Sequence, residues 1–195
     1  MSELVLIAIT AAVVNNVVLT YFLGVCSFLG VSKRLDMALG MGSAVTFVVT
    51  IAGGLTFLTQ HYVLKPLGIE FLQYIVFIFV IAATVQLVEL YVRKFHQSLY
   101  DGFGIFLPMI TTNCAILGTC LFVGLKGYDT LAKTLVFSFF NGAGYGLAIV
   151  IMAGIREELA LLDIPKPLRG APITLFVAAI LALAFMGFAG VGSHS

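Results

Sequence analysis

Three thiols, Cys26, Cys114 and Cys120, are the side chains of this sequence best suited to redox or metal chemistry. A thiolate is both a nucleophile and a soft-metal ligand. Cys26 lies in Leu23-Gly24-Val25-Cys26-Ser27-Phe28, and Cys114 in Ile110-Thr111-Thr112-Asn113-Cys114-Ala115. Both stretches are apolar but interrupted by glycine or asparagine, and each opens one half of the chain. An odd number of thiols in apolar surroundings does not read as a disulfide framework. Buried free cysteines usually pack as small hydrophobes, and composition alone favours that reading. Cys114 and Cys120 are six residues apart, so an ideal helix turns them about 120° from each other and separates them by about 9 Å along its axis. They do not reach one metal ion. His61, His96 and His194 all fall in connectors or the tail.

The elements that carry these residues must lie in a membrane. Apolar residues make up 61% of the chain and charged residues 10%, against about 25% charged in a soluble domain. The charges cluster in short runs between long apolar stretches, the pattern of a polytopic membrane protein. A net charge of +1 without a basic face excludes nucleic acid as a partner. The start, Met1-Ser2-Glu3-Leu4, is acidic, and the apolar run behind it is too long for a signal-peptide core, so it reads as a first span.

The fold class expected is an all-α membrane protein of six transmembrane helices. The spans fall at residues 4–31, 37–58, 71–92, 103–125, 135–155 and 172–191. Asn15-Asn16 in the first span and Pro108 in the fourth predict that both are broken, because a lipid-facing amide is costly and proline removes a backbone donor. Gly40-Met41-Gly42-Ser43-Ala44 and Asn141-Gly142-Ala143-Gly144-Tyr145-Gly146 predict close helix contact. Gly53-Gly54 is expected to loosen the end of the second span, and residues 61–68 to form a short connector. Glu89 lies four residues before Arg93, so the two can pair on one helix face. Within a span, Glu89 is also a candidate for an ion path.

Lys33, Arg34, Arg93, Lys94, Arg156, Lys166 and Arg169 follow spans one, three and five, whereas Lys65, Lys126 and Lys133 follow spans two and four. This bias puts the odd-numbered connections in the cytoplasm and both termini outside. The single membrane domain, 1–195, divides into halves 1–94 and 101–195. Leu23-Gly24-x-Cys26-x-Phe28-x-Gly30 recurs as Leu117-Gly118-x-Cys120-x-Phe122-x-Gly124. Two halves of three spans each enter the membrane from opposite sides, an inverted repeat of three plus three with the first helix of each half broken.

The motifs carry a family resemblance over nearly the whole chain. They are Val14-Asn15-Asn16, Phe22-Leu23-Gly24-Val25-Cys26, Gly30-Val31-Ser32-Lys33, Gly104-Ile105-Phe106-Leu107-Pro108, Ile110-Thr111-Thr112-Asn113-Cys114-Ala115, Ile155-Arg156-Glu157, Ile164-Pro165-x-Pro167-x-Arg169-Gly170 and Ala184-Phe185-Met186-Gly187-Phe188. The chain resembles the small six-span membrane subunits of the Rnf and sodium-translocating quinone reductase (Nqr) complexes. It is most similar to the A-type subunits of Rnf, which Val14-Asn15-Asn16 matches better than the Nqr cousin.

The resemblance implies one subunit of a multi-subunit ion-translocating oxidoreductase in the prokaryotic cell (inner) membrane, without a complete active site on this chain. It implies electron transfer between ferredoxin and NAD coupled to sodium or proton movement. Cys26 and Cys114 would be two ligands of an intramembrane [2Fe–2S] cluster. A homologous six-span subunit of opposite topology, resembling the E-type subunit of Rnf, would supply the other two, and further subunits would carry flavin and iron–sulfur centres. Asn15, Asn16, Gly24, Thr112 and Asn113 are expected beside the cysteines, with Thr112 and Asn113 as donors to cluster sulfur. The internal echo pairs Cys26 with Cys120, whereas the family motif pairs it with Cys114, and the family pairing takes precedence.

Depth poses a problem for that pair. Counted from Lys33, Cys26 lies about 10 Å below the surface, whereas Cys114, counted from Asp101, lies about 20 Å deep. At least one of spans one and four must therefore be broken. The alternatives are the equivalent Nqr subunit, a secondary transporter without a redox centre, for which broken inverted repeats are equally suited, and a purely structural assembly subunit.

Overall fold

A computed structural model describes residues 2–68, 70–95, 109–110, 112–128, 130–162, 165 and 170–192. All regular structure among them is helical: α1 (Ser2–Ile9), α2 (Val25–Val31), α3 (Leu35–Thr59), α4 (Gln73–Phe95), α5 (Cys114–Lys126), α6 (Leu131–Ala160) and α7 (Ala171–Gly192). Three apolar stretches are long enough to cross a bilayer: Leu35–Leu64, Gln73–Tyr91 and Leu131–Ala160. Leu4–Val14, Cys114–Lys126 and Ala171–Gly187 are shorter and also apolar. The opening of the fourth expected span, with Pro108, and the Arg93 side chain lie outside the described residues.

The core is the antiparallel pair α3 and α6. Small residues set its spacing. A Cβ placed on Gly42 would fall 2.9 Å from the Gly146 Cα, and one on Gly142 would fall 2.7 Å from the Thr46 Cα. Two backbones approach this closely only where no side chain intervenes. Met41, Val45, Val49, Ala52, Tyr145, Ile149 and Met152 fill the seam and are almost fully buried.

Two sequence expectations fail here. Gly53-Gly54 does not loosen the second span, because α3 runs through both glycines, which face Ser138 and Leu135 of α6. In a membrane the backbone has no water to turn to, so a glycine pair at a helix contact serves packing. Residues 61–68 are also not a plain connector. The helix continues past Thr59 as a π-helical turn, Gln60–Leu64, and a one-turn piece, Lys65–Leu67, ending at Gly68 with φ of 67°. Pro66 is the second residue of that piece.

Residues 4–31 form two separate helical stretches. α1 widens into a π-helical turn, Thr10–Val14, which ends where the Asn15 N–H donates to the Thr10 carbonyl at 2.7 Å. Residues 15–24 are irregular, and α2 begins at Val25. Asn16, fully buried, ties the break to the core. Its Nδ2 donates to the Gly144 carbonyl of α6 at 2.8 Å and to the Ala12 carbonyl at 3.2 Å, while its Oδ1 accepts from the Val18 N–H at 3.1 Å. Gly144 is again the close approach, since a Cβ there would lie 2.6 Å from the Ala12 carbonyl oxygen.

Candidate functional site

The irregular residues 15–24 bring Gly24, two positions before Cys26, to Cys114. Phe22 and Gly24 turn the chain with positive φ, 55° and 83°. The turn directs the Gly24 N–H at the Cys114 Sγ, 2.8 Å away. Cys114 thus lies against a residue two positions before Cys26. Cys26 is exposed, Cys114 half-buried and Cys120 fully buried. Cys120 packs within the main apolar core.

The walls of the site come from α5 and α6. Asn113 is the N-cap of α5, its Oδ1 accepting from the Ala115 N–H at 3.0 Å. Its Nδ2 is buried with no hydrogen-bond partner among the described residues. A Cβ on Gly24 would meet the Ala115 Cβ at 3.0 Å and both Asn113 Oδ1 and Tyr145 Cε2 at 3.1 Å, so glycine is required there by space as well as by φ. The Ser27 hydroxyl donates to the Gly24 carbonyl at 2.9 Å and shares a 2.7 Å bond with the Tyr145 hydroxyl, so Tyr145 is the donor in that bond. Both Cys26 and Cys114 lie within electrostatic range of Tyr145.

Among the residues expected beside the cysteines, Gly24 and Asn113 line the site directly, and Asn16 braces the break that shapes it. Thr112 is exposed in the turn before α5. Asn15 instead lines a cavity of about 130 Å³ with Leu6, Thr10, Lys126, Tyr128 and Phe137, at the far end of α5. Glu89 is half-buried on α4 and takes part in none of these hydrogen bonds. Sequence reasoning missed Tyr145, whose glycine-rich run suggested only packing. It also missed the Gly24 backbone N–H as the donor to sulfur, because a main-chain donor carries no residue signature.

Beyond the cysteines, the guanidinium of Arg156 grips the end of α2. Its Nη1 donates to the Leu29 carbonyl and to the Ser32 hydroxyl, both at 2.9 Å. The neighbouring Glu157 accepts from the Leu35 N–H at 2.9 Å, capping the start of α3. The motif Ile155-Arg156-Glu157 thus fixes the short helix that carries Cys26.

Residues 4–192 match the family described as Rnf-Nqr subunit, membrane protein. The chain belongs to the Rnf-Nqr family. Among the relatives of this Rnf-Nqr chain is the A-type subunit of the ion-translocating oxidoreductase complex of Syntrophotalea carbinolica, 52% identical over 98% of both chains. The A-type subunit from Azoarcus sp. is 47% identical over the whole of both. In Acetobacterium woodii, the A-type subunit of the Na(+)-translocating ferredoxin:NAD(+) oxidoreductase complex is 48% identical over 96% of this chain and 97% of its own.

Two thiols beside Tyr145, one of them exposed and the other accepting an N–H···S bond, are the residue types that could ligate an iron–sulfur cluster. N–H donors to cluster sulfur are among the interactions that set its potential. Such a cluster takes four ligands, and no group of three or more His, Cys, Asp or Glu gathers among the described residues.

Proposed function

We propose that this chain is the A-type membrane subunit of an Rnf-type ion-translocating oxidoreductase. Cys26 and Cys114 would hold one side of a [2Fe–2S] cluster, and a homologous subunit of opposite orientation would hold the other. The observation that carries this reading is the 2.8 Å approach of the Gly24 N–H to the Cys114 sulfur, beside the exposed Cys26. When bound, the cluster supplies one-electron transfer at membrane depth.

The chain's own residues set the terms of that transfer. Gly24 stabilises negative charge on the Cys114 sulfur through its N–H. The buried Nδ2 of Asn113 faces the Tyr145 hydroxyl beside it. Ser27 and Tyr145 lock the carbonyl of Gly24, which fixes the direction of that residue's neighbouring peptide units. The surrounding apolar core of Phe28, Ile116 and Ala115 keeps water from the inner face of the site. Electrons would pass between ferredoxin- and NAD-side carriers on other subunits, coupled to sodium or proton movement. In this reading the fold is the six-span inverted repeat, with both termini on the non-cytoplasmic side of the cell membrane.

Low-temperature EPR of the reduced complex tests the assignment. Wild type should give a [2Fe–2S] signal that Cys26→Ser and Cys114→Ser each remove, with the complex still assembled. An unchanged signal in both variants would rule out the ligand pair, and a wild-type complex without iron–sulfur absorption would favour a transporter without a redox centre.

A further inference from the structure

The cavity of about 130 Å³ that Asn15 lines is a place apart from the cysteines, walled by α1 and its π turn, the end of α5 and α6. Each wall has a local cause. The π turn Thr10–Val14 is closed by the Asn15 N–H on the Thr10 carbonyl at 2.7 Å, and Thr10 and Asn15 both line the cavity. Such turns recur at functional sites. α5 ends in Lys126, its one charged residue, and Gly127, with φ of 55°, turns the chain back. Beyond that turn the Tyr128 ring lies 5.5 Å from the ring of Phe137 on α6, and the Lys126 ammonium stands 4.8 Å from the centre of the same ring. Phe137, with the buried Ala11 and Val123, forms a small apolar cluster separate from the main core. Leu6, exposed on α1, continues the apolar wall outward.

The polar groups on these walls are unused. Among the described residues, the side chains of Thr10, Asn15 and Tyr128 make no hydrogen bond, and Lys126 has no carboxylate partner. Thr10 is the telling case. Thr46, Thr59 and Thr84 each turn the hydroxyl onto the carbonyl four residues back in the same helix, and Thr10 does not. All four groups can donate, and the ammonium keeps donors free of the ring it stands over. Donors around one positive charge that no carboxylate balances call for an oxyanion. The remaining wall is hydrocarbon, and the cavity sits where an apolar helix reaches its charged end, so the oxyanion that fits carries an apolar body. A phospholipid has both parts. Its phosphate meets the ammonium, and its acyl chain follows Leu6 outward. A lone lysine favours a headgroup of net negative charge over one that carries its own cation.

We propose that Lys126, with Tyr128, Thr10 and Asn15, binds the phosphate of an anionic phospholipid whose acyl chain lies against Leu6 and Phe137. The site is independent of the thiols and of the function proposed above.

The test uses the purified complex containing this chain, stripped of loosely held lipid and titrated with phosphatidylglycerol, phosphatidylcholine or inorganic phosphate. Thermal unfolding, and the phospholipid retained as read by mass spectrometry, are measured for wild type, Lys126→Gln, Lys126→Arg and Thr10→Val. Lys126 is exposed, so its variants keep the fold, and equal unfolding temperatures in phosphatidylcholine check this. Thr10→Val removes one donor at nearly constant volume and reports on the opposite wall. Phosphatidylglycerol should stabilise wild type more than phosphatidylcholine does, with one more molecule retained per complex than in Lys126→Gln. The phosphatidylglycerol concentration for half-maximal stabilisation should rise about fivefold in Lys126→Gln, the share of one basic residue at a membrane surface. It should rise less in Thr10→Val and return toward wild type in Lys126→Arg. Equal retention and equal stabilisation in wild type and Lys126→Gln would overturn the site. Stabilisation by inorganic phosphate alone, lost in Lys126→Gln, would overturn the lipid in favour of a free anion.

Discussion

Gly24 carries the narrowest requirement in the molecule. Its φ of 83° is left-handed, which costs about 1–2 kcal/mol for a residue with a Cβ, and its surroundings leave no room for one. Gly24→Ala should therefore let the chain insert and assemble but lower the iron retained by the complex several-fold, as measured by iron and sulfide assay. Full iron content in that variant would show that the turn does not shape the ligand pair. The three thiols should separate sharply: Cys120→Ala should keep the EPR signal that Cys114→Ala abolishes. Equal loss in both would move the ligand to Cys120. The place of Gly24 beside a cysteine was legible in the sequence because its motif is distinctive. The role of Asn113 was only partly so. Its motif suggested a donor to sulfur, yet its oxygen caps α5, and the donor found at the sulfur is a backbone N–H.

At the scale of elements, the α3–α6 seam decides whether a site can exist. Gly142 and Gly42 allow a near backbone-to-backbone contact, and overpacking such a seam costs about 1–3 kcal/mol. Gly142→Leu should shift detergent-induced unfolding by an amount of that order and lower assembled protein in membranes, whereas the exposed Leu147→Ala on the same helix should not. Equal stability of Gly142→Leu and wild type would deny the seam its role. The positions of the second, third and fifth spans were readable from hydropathy, but helix ends were not. The residues after Thr59 keep helical geometry as a π turn, and no composition rule separates that from a loop. The irregular residues 15–24 were signalled by Asn15-Asn16. What the pair does was not, because Asn16 finds its partner, the Gly144 carbonyl, 128 residues away, and a backbone oxygen leaves no mark in the sequence.

For the whole molecule, the asymmetry of Lys and Arg fixes an expected orientation. Reporter fusions at residues 1 and 195 should lie outside the cell membrane and one near residue 97 inside. A cytoplasmic C-terminus would overturn both the orientation and the six-span count. The proposed sharing of a cluster between two subunits leads to a second expectation, that the chain purified alone should contain no stoichiometric iron or sulfide. A homodimer would need one sequence to insert both ways, against its own charge bias. Full iron and sulfide in the lone chain would refute the shared cluster.

The graded exposure of the thiols turns them into a record of biogenesis. Cys26 is open, Cys114 half-shielded and Cys120 sealed. A membrane-permeant maleimide applied to newly made chain should alkylate Cys26 first, Cys114 slowly and Cys120 only after unfolding. Once the protein has found its counterpart and been loaded, Cys26 and Cys114 should both fall silent. A pulse of label during synthesis, read by mass spectrometry, would then time the moment at which an orphan chain becomes a committed one. It would also show whether cells leave the thiol pair bare to oxidants in the interval or shelter it with a dedicated chaperone.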